Sequence, residues 1–255
     1  MPISEAPPEL AGLRIVHVSD FHFRSWTRVI EAAQQLLLML DYDLLVATGD
    51  FGTIRERWIR VAEVTRRFFE PIAKRVPVYA VLGNHDHPRL ASAPDMPLEF
   101  LSNRSVLIDK AGTTFELAGV DQSLPGAEDL VAALGNGRRH GFTMLLAHYP
   151  STVFRLPPGR VDLQLSGHTH GGQIRLPRLG CLWTNDRIAR RMSRGLHVVG
   201  GTVLHVNSGI GVAAPFLVRV NCLPEVTVLT LKPADRKPPS RRPRELAITN
   251  ARGPS

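Results

Sequence analysis

The chain has 255 residues, 44% hydrophobic and 21% charged, and its 31 Lys and Arg against 23 Asp and Glu give a net charge of +8. This balance excludes disorder over the whole chain, and the length suits one large domain or two small ones with a full core. Its two cysteines, Cys181 and Cys222, are far apart and in no metal-type spacing, which excludes a disulfide framework and makes a reducing cytosol the expected compartment.

In chain order, the opening MPISEAPPEL has neither a basic region nor an apolar run, so no secretory signal is expected. Leu13–Val18 reads as a buried strand ending in Ser19, Asp20 and His22. Arg28–Leu40, rich in Glu, Ala, Gln and Leu, reads as a helix. Leu44–Ala47 is a second strand, leading into Thr48, Gly49 and Asp50. Glu56–Lys74 is a second helix with Ile59, Ala62, Phe68, Phe69 and Ile72 as its apolar residues. Val78–Leu82 is a strand ending in Gly83, Asn84, His85 and Asp86. Thr143–Ala147 leads into His148, and Val161–Leu165 into Ser166, Gly167, His168, Thr169 and His170.

Strand, helix, strand implies βαβ units, whose ligands gather at the carboxyl ends of the strands. The five polar clusters are therefore expected on one sheet edge. Phe115–Val120, Val198–Val206 and Val218–Leu231 are strand-rich and suggest a second sheet. Gly195–Val218 is the longest stretch free of Asp, Glu, Lys and Arg, but its glycines, histidines, Asn207 and Pro215 exclude a membrane span. From Lys232 onward, seven basic residues against two acids hold +5 of the +8. The expected division is a folded domain over 1–231 and a disordered, basic, Pro-rich tail over 232–255. Such a tail is either simply solvated or held on an anionic membrane or, less favoured, on nucleic acid.

The strand-end residues Asp20, His22, Asp50, Asn84, His148, His168 and His170 form a mixed oxygen and nitrogen donor set. It suits a borderline divalent metal such as Mn, Fe or Zn, whereas Mg or Ca would favour oxygen alone. Seven donors exceed the needs of one tetrahedral ion and suit two ions sharing a bridging carboxylate.

The blocks Asp20–His22 (DFH), Gly49–Asp50 (GD), Gly83–Asp86 (GNHD), His148 and Gly167–His170 (GHTH) stand in the order of the calcineurin-like metallophosphoesterases, which the sequence resembles. Two further segments, His168–Pro177 and Pro224–Leu231, resemble a bacterial phosphodiesterase branch of that family, often membrane- or envelope-associated, which includes a UDP-diacylglucosamine pyrophosphatase. The resemblance implies a four-layer αββα sandwich with two mixed sheets. It assigns Asp20, His22 and His170 to one metal, Asn84, His148 and His168 to the other, and Asp50 to both. His85 would protonate the leaving oxygen, with Asp86 orienting it from behind. Many members carry a second acid two residues after the GD block; Gly52 stands there instead.

Phosphoryl transfer needs in-line attack and charge neutralisation, and a water bridging two ions would lose a proton near neutral pH and become the nucleophile. The Arg-rich segment Ile174–Arg194 follows the GHTH block directly, and Arg175 is its expected contact with a second phosphate or anionic head group. Residues 87–112 and 172–195 are the expected pocket rims. The reading is a dinuclear-metal phosphoesterase acting on a phosphodiester or pyrophosphate, with a lipid or nucleotide-sugar as candidate substrate. It would be cytoplasmic, with a peripheral hold on the inner membrane, and no obligate protein partner is evident. A phosphomonoesterase and a nuclease are rivals, the latter weakened by an aromatic content of 6% without a nucleic-acid motif. A non-catalytic scaffold would have lost ligands that are present here.

Overall fold

The computed structural model describes residues 7–53, 57–110, 112–135, 141–214 and 217–232. The tail beyond Lys232 therefore lies outside the described residues, as does the expected helix start at Glu56. In chain order the elements are β1 (Arg14–Val18), α1 (Arg28–Met39), β2 (Leu44–Thr48), α2 (Trp58–Ala73), β3 (Val78–Val81), β4 (Glu99–Phe100), β5 (Arg104–Lys110), β6 (Thr113–Gly119), α3 (Leu130–Leu134), β7 (Thr143–Leu146) and β8 (Leu163–Ser166). They continue with β9 (Arg175–Leu176), β10 (Gly180–Cys181), β11 (Gly195–Val199), β12 (Thr202–Val206) and β13 (Thr227–Thr230).

Two mixed sheets result. The first has the order β13-β1-β2-β3-β4 and the second β11-β12-β8-β7-β6-β5, while β9 and β10 pair only with each other. The strands that feed the polar clusters, β1, β2 and β3 in one sheet and β7 and β8 in the other, run parallel to their neighbours in that set. Their carboxyl ends therefore fall on one edge of each sheet, and the His168 N–H donating to Asp20 joins the two edges.

Alternation along the strands sorts the core. Val16, Val18, Leu45 and Ala47 face α1 and α2, where Phe68, Phe69 and Ile72 meet them. Ile15, Leu44 and Val46 face the other way and pack between the sheets against Phe115, Met144, Leu146 and Leu165. Each such side chain contributes about 1.5–3 kcal/mol when fully buried. The layer outside the second sheet is thin. Short α3 covers Ala118, Leu145 and Ala147, and 3-10 turns carrying Val153 and Met192 cover Leu204 and Val206. The architecture is the expected two-sheet sandwich, with one helical flank reduced to turns.

Some sequence expectations change in detail. Ile59, one of the apolar residues of the second helix, is 49% exposed, while Ala62, Phe68, Phe69 and Ile72 are buried. Val198–Val206 is a hairpin, β11 and β12, turning at Gly200 and Gly201, both with positive φ. Of Val218–Leu231, only Thr227–Thr230 forms a strand, pairing antiparallel with β1 and returning the chain to the first sheet.

Candidate metal centre

The ends of β1 and β2 run side by side past the sheet. The Asp20 N–H donates to the Gly49 carbonyl (3.0 Å) and the His22 N–H to the Asp50 carbonyl (3.0 Å). Alternation then separates two jobs. Phe21 and Phe23 turn into the helix-side core, where the Phe21 ring stacks on Phe51 at 5.3 Å and meets Phe68 edge-on at 5.4 Å. Asp20 and His22 turn toward the site. The aromatic cluster thus anchors the loop that carries these two donors.

Backbone strain concentrates here. Asp20, His22, Asp50, His168 and His170 all have positive φ, between 47° and 69°. Non-glycine residues in that region cost on the order of 1–3 kcal/mol each and persist where the surroundings over-determine them. Gly49, at φ 90°, makes room for the crossing loop: a Cβ there would lie 2.5 Å from the Gly83 nitrogen.

The side chains converge as two groups that share one residue. Donor atoms of Asp20, His22, Asp50 and His170 lie within 4.8 Å of one another, and so do those of Asp50, His148 and His168. The His22 and His170 Nε2 atoms are 3.0 Å apart, and His170 Nε2 is 3.3 Å from Asp20 Oδ1. His148 Nε2 is 3.3 Å from Asp50 Oδ2 and 3.1 Å from Asn84 Oδ1, which brings Asn84 to the second group. All seven expected ligands are thus brought together, with Asp50 at the junction.

Hydrogen bonds aim the donors. His148 Nδ1 donates to the Thr48 carbonyl at 2.7 Å, leaving Nε2 directed at Asp50. His168 Nε2 lies 3.2 Å from the Asn185 carbonyl, and its Nδ1 is buried with no hydrogen-bond partner. A buried orphan nitrogen costs about 1–3 kcal/mol, and a metal would satisfy it. Both oxygens of Asp20 accept the His168 N–H, at 3.0 and 3.1 Å.

The electrostatics fit a cation. Burial lowers His22 and His168 to about 4 and holds His170 well below its ordinary value, so all three imidazoles are neutral and able to ligate at neutral pH. Burial, with the Asp50 charge adding to it, raises Asp20 and Asp86 to about 7 despite opposing interactions. At Asp50 burial works against ionisation, but the contact with His148 outweighs it and holds the carboxyl below the usual range. The same contact raises His148 to about 9 against the effect of its burial. Without a metal, Asp50 and His148 therefore form an ion pair. The donor set, the orphan nitrogen and the neutral imidazoles fit a pair of divalent ions.

His85 sits beside this cluster. Its backbone N–H donates to Asp50 Oδ1 at 2.9 Å, its ring meets His22 edge-on at 5.1 Å, and it lines a cavity of about 460 Å³ with Gly52, Trp58, Asn84, His87 and Leu124. Asp86 differs from expectation. Its carboxylate accepts the Gly52 N–H (3.0 Å) and the Gly83 N–H (2.9 Å), while His85 Nδ1 has no hydrogen-bond partner. Asp86 therefore ties two loops together and holds the backbone beneath His85, without touching its ring. Arg175 also turns inward, donating to the Gly171 carbonyl (2.7 Å) and to Ser193 Oγ (3.1 Å).

Three residues here had no signal in the sequence. Tyr149 packs edge-on to His168 at 4.5 Å. Asn185 brackets His168, its amide donating to the His168 carbonyl at 3.0 Å. The Arg219 guanidinium, held by the Ser208, Gly209 and Gly211 carbonyls, lies 3.4 Å from His170 Nδ1. Nearby, His87 accepts the Arg89 N–H and Asp121 the Ser123 N–H, both turn roles.

The family model for calcineurin-like phosphoesterases matches residues 13–172, which contain all five motif blocks. The chain is a calcineurin-like phosphoesterase. Among relatives, an uncharacterized metallophosphoesterase of Bacillus subtilis, YkuE, is 30% identical over 89% of this chain and 81% of its own length. The phosphodiesterase YaeI of Escherichia coli is 27% identical over 87% of this chain and 83% of its own. The UDP-2,3-diacylglucosamine pyrophosphatase LpxG of Chlamydia trachomatis is 25% identical, covering 79% of both. The solved structure of Thermus thermophilus TT1561 shares the fold, with a TM-score of 0.51 at 12% identity over 78% of this chain and 91% of that one.

Proposed function

We propose that this calcineurin-like phosphoesterase hydrolyses a phosphodiester or pyrophosphate bond at a centre of two divalent ions. Asp20, His22 and His170 would hold one ion, Asn84, His148 and His168 the other, and Asp50 both. The observation that carries the reading is the meeting of two donor groups at one buried carboxylate, with His85 free to face a cavity. Bound there, divalent ions such as Mn, Fe or Zn supply neutralisation of phosphoryl charge and activation of the attacking water.

The chain's own residues do the rest. His85 donates a proton to the leaving oxygen from the cavity side, where Trp58, His87 and Leu124 can receive the leaving group. Asp86 positions it by tying Gly52 to Gly83. Tyr149 and Asn185 fix the ring of His168. Relatives named as a phosphodiesterase and a nucleotide-sugar lipid pyrophosphatase favour a diester or pyrophosphate over a monoester. A cytoplasmic location with a peripheral hold on the inner membrane, aided by the basic tail, belongs to the same reading.

Metal-stripped protein restored with Mn is assayed on bis(p-nitrophenyl) phosphate beside p-nitrophenyl phosphate. The reading expects faster diester cleavage; faster monoester cleavage would make the protein a phosphatase. The substitution His85→Ala should lower turnover about 10²–10⁴-fold while bound metal is unchanged. Undiminished turnover in that variant would remove the acid role.

A further inference from the structure

We propose that the face formed by the β9–β10 hairpin and residues 217–223 docks on an anionic phospholipid bilayer. This rests on the phosphoesterase reading only in placing that enzyme's site at a membrane; the docking itself stands on separate observations.

Among the described residues, eight of the eighteen exposed large apolar side chains fall within residues 176–183 and 217–223. The most exposed are Leu179 (72%), Trp183 (69%) and Leu223 (82%), with Val218 at 57%. The segments that carry them adjoin. Ile174 bridges to Val220, the Arg175 N–H donates to the Val220 carbonyl (3.0 Å), and the Asn221 amide donates to the Arg175 carbonyl (3.1 Å). A contiguous apolar patch with a polar rim marks an interaction surface.

The charge around it selects the partner. Arg178, Arg187, Arg190, Arg191 and Arg194 are exposed in the same segment. The acid among them, Asp186, is half-buried and turned inward, accepting the Ser151 N–H at 3.0 Å. Leu and Trp side chains entering the acyl boundary, with guanidinium groups at phosphate level, are the composition an anionic lipid surface takes.

The patch also borders the centre. Trp183 and Leu182 share a groove of about 250 Å³ with His170, and Leu217 and Arg219 one of about 300 Å³ with His22. Docking would present the donor cluster at the depth of lipid head groups. No helix among the described residues is long and apolar enough to cross a membrane.

The test is co-sedimentation of the full chain with vesicles of equal parts phosphatidylcholine and phosphatidylglycerol. The triple variant L179S/V218S/L223S should bind about tenfold or more weakly, since binding scales with the apolar area inserted. R178E/R191E should bind weakly and lose most of its salt dependence. Removal of residues 233–255 should leave most binding in place. Tryptophan emission should shift to the blue with vesicles and the shift should vanish in Trp183→Phe. Wild-type protein that ignores anionic vesicles, or a triple variant that binds like wild type, would overturn the proposal. The triple variant should keep its rate on soluble bis(p-nitrophenyl) phosphate. If wild type with Mn cleaves no ester yet binds vesicles through this face, the phosphoesterase reading fails and the docking stands.

Discussion

Replacing Asp50 with asparagine removes one negative charge and almost no volume from the junction of the two donor groups. Asp50 is 1% exposed, with Oδ2 3.3 Å from His148 Nε2 and 3.6 Å from His22 Nε2. Its Oδ1 accepts the His85 N–H at 2.9 Å, a bond the amide oxygen can keep. In the metal-free protein, His148 loses the anion that raises it to about 9 and becomes neutral, so no charge is stranded in the interior. The fold should lose only about 1–3 kcal/mol, the cost of mispaired hydrogen bonds. The effect on metal should be far larger. At an effective dielectric of 20, a carboxylate about 4 Å from a unit positive charge contributes roughly 4 kcal/mol. That corresponds to about three decades of affinity. Metal content after equilibration with Mn, together with melting curves with and without chelator, reads both quantities. Wild type should melt higher with Mn, and Asp50→Asn should melt at the same temperature with or without it. A variant that retains wild-type Mn content and Mn-induced stabilisation would refute the shared role of Asp50.

Other consequences follow from the same geometry. In Gly83→Ala the new Cβ would collide with Asp50 Oδ1 and approach the Asp50 nitrogen to 2.7 Å and His148 Cε1 to 2.9 Å. Overpacking of about 1–3 kcal/mol and loss of Mn uptake should result, and a variant that binds Mn and melts like wild type would contradict this. In the metal-free protein, His148 has a folded value of about 9, above its ordinary 6.5, so its contribution is present below pH 6.5 and lost as pH rises through 9. Chelated protein should therefore become less resistant to urea between pH 7 and 9; a flat or rising midpoint would contradict the Asp50–His148 pair. Away from the site, Arg160 Nη1 meets Glu116 Oε2 at 2.8 Å with both side chains buried. Arg160→Leu should cost about 3–5 kcal/mol by stranding Glu116, and the R160L/E116L double variant should recover most of it in a denaturant titration. Equal losses in the single and double variants would refute that assignment.

The donor cluster was legible because each donor follows a short apolar strand, and local signals suffice to place a strand end. Partners from distant elements were not legible. Arg219 meets His170 across 49 residues, and most of its other anchors are backbone carbonyls, which any residue supplies. The pairing of His17 with His205 has no local signal either, since they meet at 2.8 Å across 188 residues. The proximity of Asp86 to His85 in sequence suggested a side-chain contact, but the amides of Gly52 and Gly83 take both carboxylate oxygens. Edge strand β5 has no clear sequence signal because Arg104–Lys110 is largely exposed and carries charge at both ends and within. The hairpin of β11 and β12 did carry a signal, the Gly200–Gly201 pair, which marks a tight turn within what otherwise reads as one strand.

The most direct test of the dinuclear phosphoesterase account is a metal titration of stripped protein. Mn is added back in measured equivalents, and bound Mn and bis(p-nitrophenyl) phosphate hydrolysis are followed in the same samples. The account predicts no hydrolysis without metal and full rate only after a second ion per chain is bound. Full hydrolysis in the stripped protein, or saturation of rate at a single bound ion, would contradict it.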